Sequence, residues 1–164
     1  MASTPLESLR DAYARTLISL GEEDPRLVVV DADLSSSTRT ILFQERFPER
    51  FFNTGISEQN LMRMAAGLAL CDRTVFASTF AVFATGRAWD QVRQSICYNQ
   101  ANVKIVATHG GITVGEDGAT HQSNEDVALM RVLPNMRVIV PSDSRQTEEV
   151  IRTIRDSGGT KEQI

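Results

Sequence analysis

Apolar positions along the chain recur at two alternating periods, and that alternation points to the fold. Leu6, Leu9, Tyr13, Leu17 and Leu20 follow one another at helical spacing, with Thr4, Pro5 and Glu7 as a helix-start signal and Gly21 as a stop. Residues 27–30 form a wholly apolar run rich in β-branched side chains, which suits a strand buried on both faces, and they lead into Asp31-Ala32-Asp33. Ser35-Ser36-Ser37 opens a loop, residues 38–47 read as a short helix, and residues 50–53 predict a second strand. Ser57 is the expected N-cap of a helix that runs to about Cys71, with Leu61, Met64, Ala65 and Leu68 as its apolar stripe. Residues 74–78 predict a third strand. Residues 83–98 predict a long helix with Trp89, Val92, Arg93 and Ile96 along one side. A fourth strand (103–108), a glycine-rich loop (109–122), a short helix (125–132), a fifth strand (137–140) and a last helix (147–155) complete the series. No strand is expected in residues 157–164.

Strand and helix thus alternate throughout, with no repeats and no internal linker. The pattern predicts one α/β domain across residues 1–164, with a mostly parallel sheet and helices on both faces. In such sheets ligands bind beyond the carboxyl ends of the strands. The polar clusters obey that rule: residues 31–37, 54–58, 78–83 and 109–121 each follow a predicted strand, and the last holds both histidines of the chain.

Composition narrows the classes. Hydrophobic content of 41% and charged content of 23% in 164 residues describe an ordinary globular chain. A formal charge of -4 argues against a nucleic-acid-binding surface. Cys71 and Cys97 have neither the number nor the spacing of a disulfide framework or zinc site, and both are expected to be reduced core thiols. Residues 1–7 lack a signal-peptide pattern and no stretch has the length of a membrane span, so a cytoplasmic location is expected.

Two stretches carry candidate chemistry. In Gly55-Ile56-Ser57-Glu58-Gln59-Asn60 a carboxylate stands at a helix start, where it can be a structural cap favoured by the helix dipole or a functional acid. In Ala107-Thr108-His109-Gly110-Gly111-Ile112-Thr113-Val114-Gly115-Glu116-Asp117-Gly118-Ala119-Thr120-His121-Gln122, glycines at 110, 111, 115 and 118 suggest backbone at positive φ or in close contact with a ligand. Three readings fit the loop: a metal site, a solvated loop with incidental histidines, or a substrate-binding and proton-transfer loop. In the third, Asp117 orients one histidine while the other polarises a carbonyl or hydroxyl.

These stretches, with Ser78-Thr79-Phe80-Ala81-Val82-Phe83, resemble the pyrimidine-binding domain of transketolase in order and spacing. Asp31-Ala32-Asp33-Leu34 and Leu133-Pro134-Asn135-Met136-Arg137-Val138 fit the same template, so the resemblance covers almost the whole chain. It implies that Glu58 hydrogen-bonds the aminopyrimidine ring nitrogen of thiamine diphosphate, and that Phe80 and Phe83 line the pocket for that ring. It implies substrate contacts for His109, Asp117 and His121: Asp117 to the acceptor's 2-hydroxyl, His121 to the donor's C1 hydroxyl or carbonyl, and His109 nearer the phosphate end. Arg10 and Ser37 match positions that bind a substrate phosphate; Arg10 also reads as the exposed face of the first helix. Asp31 and Asp33 border the same edge with no role assigned.

The departures matter as much. Gly86 falls where the best-known transketolases carry an aromatic residue, which leaves a gap in the pocket wall, and a further family arginine falls beyond Ile164. The family's diphosphate and Mg²⁺ motif has no match, so the resemblance places no metal ligand in this chain and assigns that site to a partner subunit. A third subunit with the family's C-terminal domain is a further option. The expectation is a split transketolase-like transferase moving a two-carbon ketol unit from a ketose to an aldehyde. The alternatives are another thiamine diphosphate enzyme subunit, of the oxo-acid dehydrogenase β or deoxyxylulose phosphate synthase kind, or a non-catalytic assembly subunit.

Overall fold

The computed structural model describes residues 7–156 and 161–163. Its centre is a six-stranded, all-parallel sheet in the order β2-β1-β3-β4-β6-β5. The strands are β1 (Leu27–Asp31), β2 (Phe51–Asn53), β3 (Thr74–Phe80), β4 (Val103–Thr108), β5 (Met136–Val138) and β6 (Lys161–Gln163). The helices are α1 (Leu9–Glu23), α2 (Ser35–Thr38), α3 (Ile41–Arg46), α4 (Glu58–Leu70), α5 (Trp89–Gln91), α6 (Asp126–Arg131) and α7 (Ser144–Asp156). Two π-helical turns, Phe83–Arg87 and Val92–Tyr98, flank α5 and extend it into the expected long helix.

The period-two alternation of the central strands divides the core. Val28, Val30, Val75, Ala77, Val103 and Ile105 pack on one face with Leu61, Met62, Ala65, Ile96 and Met130. Leu27, Val29, Phe76 and Val106 face the other way, against Tyr13, Leu17, Leu20, Phe43 and Ile151. β1 and β3 are buried along their whole length, which is why, apart from Asp31 at the end of β1, their residues are apolar or carry only a hydroxyl.

Several local expectations change. Ser8 caps α1, its Oγ accepting from the Asp11 N–H at 3.1 Å, while Thr4 and Pro5 lie outside the described residues. Gly21 continues the helix instead of ending it. A Cβ there would stand 2.7 Å from the Phe47 ring and 2.8 Å from that of Phe43, so the glycine admits a close approach. Ser35 to Ser37 belong to α2, which Arg39 ends in a left-handed conformation (φ 68°) before α3 begins. Ser57 stands at the N-cap of α4, yet its hydroxyl donates to the Thr54 carbonyl at 2.7 Å instead of capping. The buried stripe of α4 is Leu61, Met62, Ala65 and Ala66; Met64 is 36% exposed, because the sheet-facing side is rotated by one position from the expected one. Arg93 and Cys71 are exposed, Cys71 because it follows the last turn of α4, whereas Cys97 is buried.

The largest change is β6. Lys161-Glu162-Gln163 has no apolar periodicity, and only backbone pairing with Lys104 and Ile105 on one side and with Met136 to Val138 on the other makes it a strand. No described helix is long and apolar enough to cross a membrane.

Candidate functional site

Strand register brings the polar loops together. Asp31 pairs across β1 with Ser78 of β3, and Phe80 pairs with Thr108 of β4, so these three strands end side by side. His109 follows Thr108 at φ 60°, a left-handed conformation uncommon for a non-glycine residue. Its imidazole stacks on Phe80 at 4.0 Å between centroids. Phe83 lies nearly parallel to Phe80, 5.9 Å away at 5°. His121 meets both edge-on, at 6.1 Å from Phe80 and 5.2 Å from Phe83. Two phenyls and two imidazoles from three chain segments therefore form one cluster, with Phe80 3% and Phe83 8% exposed.

Glu58 completes this wall from the first turn of α4. Its residue is only 5% exposed. The Arg87 Nη1 donates to its Oε1 at 3.2 Å, and the same guanidinium lies over the Phe83 ring at 4.4 Å. Arg87 reaches both because it closes the π-helical turn that Phe83 begins, with the Ala88 N–H donating to the Phe83 carbonyl at 3.3 Å. A Cβ on Gly86 would meet nothing within 4 Å, so the gap expected there is open on the backbone side while Arg87 covers Phe83.

The glycine loop is held more loosely. Gly111 exchanges two backbone hydrogen bonds with Ser123, and the Gln122 side chain donates to the Ile112 carbonyl at 3.0 Å. Gly111, Gly115 and Gly118 take positive φ; Gly110 does not, but a Cβ there would stand 2.9 Å from a carboxylate oxygen of Asp126. Asp117 is exposed and, among the described residues, makes no hydrogen bond or ion pair, so it orients neither histidine. Adjacent threonines do that instead: Thr108 Oγ1 lies 2.8 Å from His109 Nδ1, and Thr120 Oγ1 lies 2.9 Å from His121 Nδ1. Burial pushes the His109 pKa below the ordinary histidine value, helped by the nearby Arg10 charge and opposed in part by Asp117. The shift favours the neutral imidazole, which can both donate and accept.

Beyond the cluster a cleft of about 860 Å³ opens past the ends of β4 and β5, lined by Arg10, Tyr13, Thr108, His109 and Ser123 among others. His109 borders both spaces. Arg10 donates to the Ser37 carbonyl at 2.8 Å, which draws α2 to the rim; the Ser37 hydroxyl is not used in that bond. Asp31 is wholly buried and structural. It accepts from the Leu34 N–H and from the Thr38 and Thr40 hydroxyls, while burial pushes its pKa up. Asp33 is exposed and accepts from Asn53.

Residues 7–161 match the family model described as transketolase, pyrimidine binding domain. The chain belongs to that family. It is 57% identical over 153 residues to the putative transketolase C-terminal section of Methanocaldococcus jannaschii, covering 93% of this chain and 48% of that protein. It is 41% identical over 138 residues to a 6-deoxy-6-sulfo-D-fructose transketolase subunit of Clostridium sp. (strain MSTE9), covering 84% and 43%. A split gene transketolase, solved as an inactive beta4 tetramer, superimposes with a TM-score of 0.85 at 53% identity, covering 96% of this chain and 51% of that one. The chain thus spans about half the length of each of these three relatives.

The donor set suits the pyrimidine half of the family's thiamine diphosphate. A flat, amidine-bearing ring needs flat apolar walls and a carboxyl at one edge, and this transketolase-family domain has Phe80, Phe83 and Glu58 there. Sequence reasoning missed Arg87 and the two threonines. The signal for the threonines was in plain view, since each histidine directly follows one.

Proposed function

We propose that this chain is the pyrimidine-binding subunit of a split, thiamine-diphosphate-dependent transketolase-like enzyme. It would transfer a two-carbon ketol unit from a ketose, or ketose phosphate, to an aldehyde. The observation that carries the reading is the joining of Glu58 to the Phe80–Phe83 wall with both histidines on the same rings. A partner subunit would hold the diphosphate and Mg²⁺. The inactivity of the relative solved as a tetramer of one subunit type supports that requirement.

When bound, thiamine diphosphate supplies the nucleophilic carbon and the electron sink that ketose cleavage needs. The chain's residues supply the rest. Glu58, almost out of water, would hold the ring nitrogen of the bound aminopyrimidine through a hydrogen bond and could give or take a proton there, a task for which burial makes a carboxyl effective. Phe80 and Phe83 fix the ring plane and exclude water. His121 binds the donor's carbonyl or C1 oxygen. Neutral His109 is suited to pass a proton to or from a sugar hydroxyl. Asp117, exposed at the loop tip, accepts from the acceptor's 2-hydroxyl, and Arg10 at the cleft rim takes a phosphate. Over the whole transfer the donor's C2–C3 bond breaks and an equivalent bond to the acceptor's carbonyl carbon forms, with one hydroxyl proton released and one taken up and no net oxidation.

The test is a native pull-down of the tagged chain from its own cells, with partners identified by mass. A stoichiometric partner with a diphosphate-binding domain, and ketose cleavage by the complex, are expected. A complex inactive toward every ketose donor with thiamine diphosphate and Mg²⁺ present would overturn the reading.

A further inference from the structure

Arg87 occupies both functions of the pocket at once. Its guanidinium donates to the Glu58 carboxylate at 3.2 Å and lies over the face of Phe83 at 4.4 Å. An aminopyrimidine ring in that pocket needs the same two things, a hydrogen bond at Glu58 and a flat contact with a phenyl ring. A guanidinium is planar, carries N–H donors in its plane and stacks on aromatic faces, so it copies the amidine edge of such a ring. We propose that Arg87 is an internal surrogate for the aminopyrimidine: it holds Glu58 and Phe83 in place in the free subunit and must leave when the cofactor enters. This rests on the reading of Glu58 and Phe83 given above.

The surroundings allow the exchange. The Arg87 side chain is 57% exposed, whereas that of Glu58 is 6% exposed, so the arginine can swing into water without opening the core. The Gln59 side chain donates to the Arg87 carbonyl at 3.2 Å, which ties the π-helical turn to α4 while leaving the guanidinium free to turn. Gly86 beside it has open space. Glu58 without Arg87 would be a nearly buried carboxylate lacking this charged hydrogen-bond donor, a costly state that the arginine relieves until the ring arrives. Arg87 is thus a positioning residue that competes with the ligand.

A competing side chain lowers apparent affinity by the fraction of molecules in which it has withdrawn, so its removal tightens binding. The experiment titrates thiamine diphosphate into the complex of this chain with its partner, at fixed Mg²⁺, for the wild type, Arg87→Ala and Arg87→Lys. Arg87→Ala is expected to bind about tenfold more tightly, as for a surrogate present in about nine molecules of ten. Arg87→Lys, which can pair with Glu58 but cannot stack flat, is expected between the two. Thermal unfolding supplies the second readout: Arg87→Ala should lower the melting temperature of the cofactor-free complex and leave that of the saturated complex unchanged. Unchanged or weaker binding in Arg87→Ala overturns the inference, because Arg87 would then be inert or part of the bound site. A wild-type complex that binds no thiamine diphosphate overturns the proposed function, and this inference with it.

Discussion

The wall of the pocket and the loop that faces it are built differently. Phe80 ends a strand buried at every position, Phe83 begins a helical turn docked on the core, and Glu58 opens a helix anchored by Leu61, Met62 and Ala65. Each is placed by many apolar contacts, so the wall has nearly one arrangement before any ligand arrives. The 109–122 loop rests on one isolated bridge, a glutamine side chain, and two histidines that touch the wall through their rings. Its exposed acid, Asp117, makes no hydrogen bond or ion pair among the described residues. The difference separates two tasks. A cofactor shared by every turnover is met by a rigid surface, whereas a variable sugar is met by a segment whose final geometry the substrate helps to set.

The comparison can be broken at three residues. The largest effect is expected for Glu58→Ala, which should cut kcat of the complex by about 10²–10⁴-fold, the range for loss of a positioned acid–base group. Unchanged turnover would make Glu58 a structural cap. Next, Phe80→Ala should cost about 3–5 kcal/mol in urea unfolding, as a phenyl lost from a packed core does. His121→Ala should change stability by less than about 0.5 kcal/mol while donor turnover falls with thiamine diphosphate still bound. Equal destabilisation by the two would erase the distinction between wall and loop.

The wall was legible in the sequence because tertiary packing only reinforced its local signals. The apolar run of β1 and the glycine-isoleucine-serine-glutamate turn before α4 carry their structure in the residues themselves, whereas Phe80 and Phe83 are singled out by the family resemblance. What was missed depends on distant partners. β6 is a strand only by its pairing on two sides, and the Glu58–Arg87 contact joins α4 to a π-helical turn that no periodicity announces. One of the three readings of the loop has Asp117 orienting a histidine. The loop instead turns it outward at Gly118, whose φ of 71° favours glycine, and the neighbouring threonine hydroxyls take the imidazole nitrogens.

Two smaller effects sharpen the picture of the loop. Asp117→Ala should lower kcat/KM for the acceptor about tenfold, the scale of one lost hydrogen bond to a charged group, with the donor half-reaction and stability unchanged. A drop in stability would show that Asp117 holds the loop. The second is a pH effect. His109 has a pKa below the ordinary histidine value, so between the two values the unfolded chain binds the extra proton. Its contribution to stability is therefore complete above about pH 6.5 and is lost as pH falls from there through the folded-state pKa. Urea midpoints measured from pH 7.5 down to 5 should fall more steeply for the wild type than for His109→Gln, and parallel curves would contradict the lowered pKa of the half-buried imidazole.

The most direct test of the central claim is calorimetric titration of thiamine diphosphate, with Mg²⁺, into the chain alone, its partner alone and the two together. The account predicts saturable binding by the pair at one cofactor per copy of this chain, weakened by Glu58→Ala, and no tight binding by either protein alone. Equally tight binding by the partner without this chain, or by the pair irrespective of Glu58, would contradict it.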